Sequence, residues 1–166
     1  TQVSAWIDGK ALHTNKPIPG GSSQSFTSDD KALRTDQDFT VAASFQSTGD
    51  GTIFSKCAPD GPWSEGAKAL FIKGGRLSYD VGWVGAIDGP AVSDGKPHRV
   101  VLRSSKGTVH LSVDGKSVGQ QEDLSSKDVS SHLFKIGLGA SDFTGPLNKG
   151  TVSNLRYWAR SIEGAE

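Results

Sequence analysis

Apolar and polar positions alternate along much of this 166-residue chain. In DFTVAASFQS, Phe39, Val41, Ala43 and Phe45 recur at every second position, which places them together on one face of a half-buried β-strand. GTIFSK follows after the turn TGDG, and ALFIKGGRLSYDV reads as two strands joined at Lys73-Gly74-Gly75-Arg76. A two-residue Gly-Gly connection suits a hairpin turn that needs positive φ. HRVVLRS and TVHLSV are separated by SKG, and Val109, Leu111 and Val113 alternate with His110 and Ser112. Further strands are predicted at LFKIGLG and TVSNLRYWAR, while DLSSKDVSS is a polar connection with room for one helical turn at most. No segment sustains a helical period. About a dozen short strands, with turn signals roughly every eight to twelve residues, predict an all-β antiparallel jelly-roll sandwich of two sheets.

The tripeptide Asp-Gly-Lys occurs twice, at Asp94–Lys96 and Asp114–Lys116. Asp114-Gly115 sits between alternating strands, where both residues tolerate the left-handed backbone of a type I′ turn. Asp94-Gly95 also precedes a strand. Both copies therefore read as turns of the fold rather than as a ligand site.

Composition narrows the function. Lys plus Arg and Asp plus Glu number 18 each, so no net field gathers nucleic acid or anionic lipid. No apolar run is long enough for a membrane span, and 21 glycines fit a turn-rich soluble protein. Cys57 is the single cysteine, which excludes an internal disulfide and leaves the redox compartment open. The opening TQVSAWIDGK has no basic-then-apolar leader, consistent with a removed signal, a piece of a larger protein, or no export. At this length one domain over residues 1–166 is expected.

The order of segments is similar to the laminin G-like domains of the concanavalin A-like lectin and glucanase superfamily. DFTVAASFQSTGDGTIFSK resembles that family's strand pair ending in Phe-Ser-Lys, and ALFIKGGRLSYDVG its central hairpin. VSDGKPHRVVL and VHLSVDGKSVG resemble the next pair, and FKIGLG with FTGPLNKGTVSNLRYWARSIEGAE the closing strands. The likeness covers about residues 38–166. Pro97 stands where many members carry Trp, and Phe143 to Gly150 is longer than the usual compact turn. The resemblance implies a jelly-roll recognition module for glycans or proteins, secreted or displayed outside the cell, in some members holding one Ca²⁺. It also implies that the first thirty-odd residues supply an edge strand near the C-terminus.

Candidate chemistry was sought against this background. Glycosidases need two carboxylates about 5 to 10 Å apart across the sugar, and in this sandwich they commonly share one strand face. Glu65, Glu122, Glu163 and Glu166 lie in separate segments, and Asp36 with Asp38 is the one close alternate pair, in a polar lead-in. No catalytic pair is predicted. His13, His98, His110 and His132 lack any nucleophile-elbow context and read as surface or strand-edge histidines. For Ca²⁺, hard oxygen ligands are available in APDGPWSEG (Asp60, Glu65) and GASDFTGPLN (Asp142, Asn148); their alternative role is to solvate turns.

Aromatic residues are more informative. Sugar rings stack their C–H faces on indole and direct hydroxyls to neighbouring polar groups. Trp63 in DGPWSEG has Glu65 close by, and Trp83 in YDVGWVGAIDG lies between Asp80 and Asp88. The five residues Trp83, Trp63, Asp80, Asp88 and Glu65 form the predicted ligand set; the alternative is that the two indoles fold back as lids. Trp6 and Trp158 read as strand packing. The expectation is a non-catalytic, lectin-like module for a glycan or glycoprotein within a larger extracellular protein. The alternative is a protein-recognition or assembly module, and a glycosidase or lyase is third.

Overall fold

A computed structural model describes residues 27–163 except 141 and 144, together with the strand backbone at 5–8, 11–14, 18–19 and 26. Its strands are β1 (Ala5–Asp8), β2 (Ala11–Thr14), β3 (Ile18–Pro19), β4 (Phe26–Ser28), β5 (Phe39–Ser47), β6 (Gly51–Cys57) and β7 (Lys68–Lys73). They continue as β8 (Arg76–Val81), β9 (Gly85–Ala91), β10 (His98–Ser105), β11 (Thr108–Val113), β12 (Lys116–Gln121), β13 (Leu133–Ile136) and β14 (Gly150–Trp158). The first sheet runs β1-β2-β14-β5-β10-β11-β12, with β3 also on β14; the second runs β4-β13-β6-β7-β8-β9. The strand pairs are antiparallel, and the chain forms the expected jelly-roll sandwich. β2 and β3 join β14, so the chain's beginning meets its end as the resemblance implied. No helix among the described residues is long and apolar enough to cross a membrane.

The inner faces of both sheets meet in one apolar core. Phe54 stacks on Phe134 at 5.4 Å within the second sheet. Phe134 then meets Tyr157 of the first sheet edge-on at 6.2 Å. Burying such a ring stabilises by about 1.5–3 kcal/mol relative to leaving it exposed. Strand β5 departs from the half-buried expectation. Phe39, Val41, Ala43 and Phe45 do point into the core, but Thr40 and Ala42 on the opposite face are also fully buried. At Thr40 the segment after β14 is responsible: the hydroxyl donates to the Arg160 carbonyl and accepts from the Ile162 amide, both at 2.9 Å. Trp158 pairs with Thr40 on this outer face and is half-buried, whereas its neighbour Tyr157 faces the core.

The turns follow the sequence closely. Gly74 and Gly75 have φ of 60° and 79°, and Asp114 and Gly115 have 52° and 80°, as type I′ turns require. The two Asp-Gly-Lys tripeptides also share a partner. Asp94 Oδ1 lies 2.9 Å from His98 Nε2, and Asp114 Oδ2 lies 2.7 Å from His98 Nδ1. Asp94 also accepts from the Lys96 amide, and Asp114 from the Arg99 amide. His98 therefore staples two turns together.

One end of the sandwich is closed by a buried ionic cluster. Lys56 in β6 and Lys68 in β7 face inward and are 4% and 1% exposed. Lys68 donates to Asp128 Oδ1 at 2.7 Å and Lys56 to Asp128 Oδ2 at 3.1 Å. The Thr35 amide and hydroxyl donate to the same carboxylate, and Lys56 also donates to the Leu33 carbonyl. Asp36 accepts from the Asp128 amide, and the Tyr157 hydroxyl donates to the Arg34 carbonyl. Burial pushes the Asp128 carboxyl up, but the hydrogen bonds from Lys68 and Thr35 outweigh this and hold it at about 2.

Removing one partner of a buried ion pair strands the others without compensation. Asp128→Asn is expected to cost about 3–5 kcal/mol, seen as a lower urea midpoint; a parental midpoint would show that this carboxylate is not the tie. His98 gives a pH signature. Partial burial pulls its pKa down, but the bonds to Asp114 and Asp94 outweigh burial and raise it. A raised folded-state pKa contributes stability that is complete below the ordinary value of 6.5 and fades as pH climbs through the raised one. The melting temperature should thus fall across that window in the parent and stay flatter in His98→Gln. Parallel profiles would remove the staple.

Candidate functional site

The most distinctive surface is the outer face of the second sheet at its β7-β8-β9 edge. The Gly-Gly turn sets the register Lys73↔Arg76, Phe71↔Ser78 and Ala69↔Asp80, and β9 adds Asp88 beside Ser78 and Ala86 beside Asp80. Because alternate residues share a face, Phe71, Lys73, Arg76, Ser78, Asp80 and Asp88 all project outward. They line a groove of about 520 Å³. Lys73 and Arg76 make the end nearer the Gly-Gly turn cationic; Asp80 and Asp88 make the other acidic. Ala69 and Ala86 flank Asp80 and leave it room.

The acidic end has its own internal order. The Ser78 hydroxyl lies 3.1 Å from both Asp88 Oδ1 and the Ile87 carbonyl. Asp80 makes no hydrogen bond among the described residues, so its oxygens are free to accept from a ligand. Burial raises its pKa first, and the charge of Asp88 adds to this.

An aromatic wall stands beside the groove. Phe143 meets Phe71 edge-on at 5.2 Å and stacks on Trp63 at 4.5 Å, while Lys73 Nζ lies 5.1 Å from the Phe143 ring centre. A second hollow of about 280 Å³ continues past Phe71 and Phe143 to Asp50 and Asn148. The wall depends on the 137–147 connection lying flat across the sheet. Thr52 donates through its amide and hydroxyl to the Gly145 carbonyl, Ser55 to the Leu138 carbonyl, and the Gly137 amide to Ile53. Gly51 permits that approach, because a Cβ there would sit 2.5 Å from the Leu147 Cα. Asp50 caps the Gly-Gly turn by accepting from the amides of Gly74 and Gly75 at 2.8 and 2.9 Å.

The predicted ligand residues gather at this edge but do not form one surface. Asp80 and Asp88 line the groove. Trp63 is half-buried: Phe143 covers one face and Asp142 holds its amide at 2.7 Å. Trp83 is 70% exposed at the tip of the β8-β9 turn, with a φ of 66° that side chains rarely adopt. Its turn is tied to the Trp63 loop through Gly82, whose amide donates to Ala67 and whose carbonyl accepts from Gly66. Trp83 lies outside the groove lining, and Glu65 is exposed on the neighbouring turn. For Ca²⁺, Asp60, Asp142 and Asn148 are exposed, and Asp142 is engaged with the Trp63 amide. Among the described residues no group of three or more Asp, Glu, His or Cys side chains gathers as a metal would need.

Two features escaped the sequence reading. A search along single strands found no carboxylate pair in this region, but the sheet brings Asp80 and Asp88 together diagonally from adjacent strands. Arg76, Lys73 and Ser78 were also missed. Counting outward from the Gly-Gly turn would have found them, since the turn fixes which residues share the outer face.

Comparison with known proteins bears on the fold. The family model described as the concanavalin A-like lectin/glucanases superfamily matches residues 19–166. The chain belongs to that superfamily. No curated protein sequence matches the chain. Among solved structures of similar fold is the CBM40 of the Ruminococcus gnavus IT-sialidase bound to α2,6-sialyllactose, at 12% identity and TM-score 0.70, covering 97% of this chain and 96% of that one. A leech intramolecular trans-sialidase matches at 13% identity and TM-score 0.69, over 99% of this chain but 27% of its own. Mouse laminin α1 domains LG4-5 match at 18% identity and TM-score 0.60, over 95% of this chain and 48% of theirs. At these identities the superfamily fold is what is shared.

Proposed function

We propose that this superfamily member is a non-catalytic carbohydrate-recognition module that takes an acidic glycan along the β7-β8-β9 groove. One observation carries the reading: a single groove presents cations at one end, the Asp80 carboxylate without a hydrogen-bond partner among the described residues at the other, and an aromatic wall beside them. A sugar carboxylate would pair with Arg76 and Lys73, and hydroxyls would donate to Asp80 and Asp88. The ring's apolar face would lie toward Phe71 and Phe143. Fold-level likeness to a module solved with sialyllactose supports the choice of an acidic sugar. The domain would act outside the cell as one part of a larger protein, as the leech enzyme's larger span suggests.

A protein-recognition role has one observation in its favour, the exposed Trp83 and Val84 at a strained turn. A glycan array with and without calcium, followed by calorimetry on the variants, separates the readings. A sialylated or uronic-acid glycan is expected to bind without calcium and to be recovered intact. Arg76→Ala and Asp80→Asn should each weaken it about 10- to 100-fold, as loss of a charged hydrogen bond implies, while Trp83→Ala changes little. Binding lost only in Trp83→Ala would move the site to the turn. Cleavage of the glycan would make the Asp80/Asp88 pair catalytic and overturn the non-catalytic reading.

A further inference from the structure

A further hollow, of about 260 Å³, lies at the end of the sandwich closed by Asp128. Its wall comes from the 31–36 segment, the end of β6 and the 127–132 segment. Lys31, Arg34, Lys56 and Lys127 stand around it against the two carboxylates of Asp36 and Asp128, and Lys68 lies directly behind Asp128. The carboxylates are already engaged by Arg34, Lys56, Lys68 and Thr35, so the hollow retains an excess of positive charge.

Donors remain there as well as charge. An ammonium carries three N–H groups. Lys56 uses one on Asp128 and one on the Leu33 carbonyl, leaving its third although its side chain is only 5% exposed. Lys31 spends one on the Ser130 carbonyl. His132, on the same wall, is 5% exposed, and its Nδ1 has no hydrogen-bond partner. Its Nε2 reaches only the Ser64 hydroxyl, at 3.5 Å. Burial, then the charge of Lys68, lower the His132 pKa and favour the neutral ring. A neutral imidazole carries one N–H and one lone pair, so the ring on the wall of this cationic hollow keeps one position without a partner.

We infer that this hollow binds a tetrahedral oxyanion, phosphate or sulfate, either free or esterified to a sugar, with Lys31, Lys56 and Lys127 as donors beside the His132 ring. The donors come from three separate segments rather than from one planar fork, which suits an acceptor with oxygens in several directions better than a flat carboxylate. The site is distinct from the β7-β8-β9 groove and does not rest on the glycan reading.

The test uses the whole chain, titrated with inorganic phosphate at constant ionic strength set by sodium chloride, with imidazole nitrogen NMR as the readout. His132 signals should shift saturably while those of His98 and His110 do not. A Lys31→Ala/Lys127→Ala double variant, altered only at exposed positions, should keep the parental spectrum elsewhere and lose at least 10-fold in affinity; Arg76→Ala should bind phosphate like the parent. A glucose 6-phosphate arm separates the sources: binding of both anions assigns an esterified group, and binding of phosphate alone assigns the free ion. Absence of a His132 shift, or a shift that is non-saturating and equal in the double variant, overturns the inference. Such a uniform response is what general salt stabilisation produces.

Discussion

Two lysine ammoniums buried behind one carboxylate are the constraint from which the rest of this molecule follows. Lys56 and Lys68 face the sandwich interior, where alternation alone would call for apolar side chains, and Asp128 with the Leu33 carbonyl meets their charge there. Because side-chain direction in a strand has a period of two, fixing Lys68 inward fixes Ala69, Phe71 and Lys73 outward. A slip of one residue would bring an ammonium to the surface and put Phe71 and Lys73 in the core. The buried cluster thereby sets the face on which the groove is built, although it lies at the end of the sandwich. It also clamps the irregular segments around residues 33–36 and 127–132, which no sheet ladder holds.

The groove then needs only two more devices. The Gly-Gly turn, capped by Asp50, sets Arg76 opposite Lys73 and carries Ser78 and Asp80 along the same face. The 137–147 connection lies on the sheet across Gly51 and delivers Phe143 against Phe71 and Trp63. The cationic and acidic ends lie on three adjacent strands of one sheet, so their separation is as rigid as the sheet. Preorganisation of this kind limits the entropy lost on binding and favours a ligand with a carboxylate and hydroxyls at a matching distance.

Much of the fold was legible because its signals are local. Alternation located β5 and the β10-β11 pair, and Gly74-Gly75 and Asp114-Gly115 announced turns whose φ values are those observed. The segments that resemble laminin G-like domains fall in the region the family model matches. What escaped depends on partners distant in sequence. Nothing near Asp128 in DLSSKDVSS marks it as the counter-ion of two buried lysines about sixty and seventy residues away. Thr40 reads as solvent-facing until the segment after β14 engages its hydroxyl. At the site, Asp80 and Asp88 were singled out as acids flanking Trp83, but they share one groove only because β8 and β9 are paired. The cover of Trp63 was not legible, because Phe143 lies eighty residues further on.

The central claim is that the β7-β8-β9 face holds the ligand, and backbone amide NMR tests it most directly. With sialyllactose added to the isotopically labelled chain, the account predicts saturable shifts at residues 71–80 and 86–88 and at the Trp63 indole, with the Trp83 indole moving less. Shifts confined to the Trp83–Val84 tip, or to the outer face of the first sheet around Thr40 and Trp158, would contradict it.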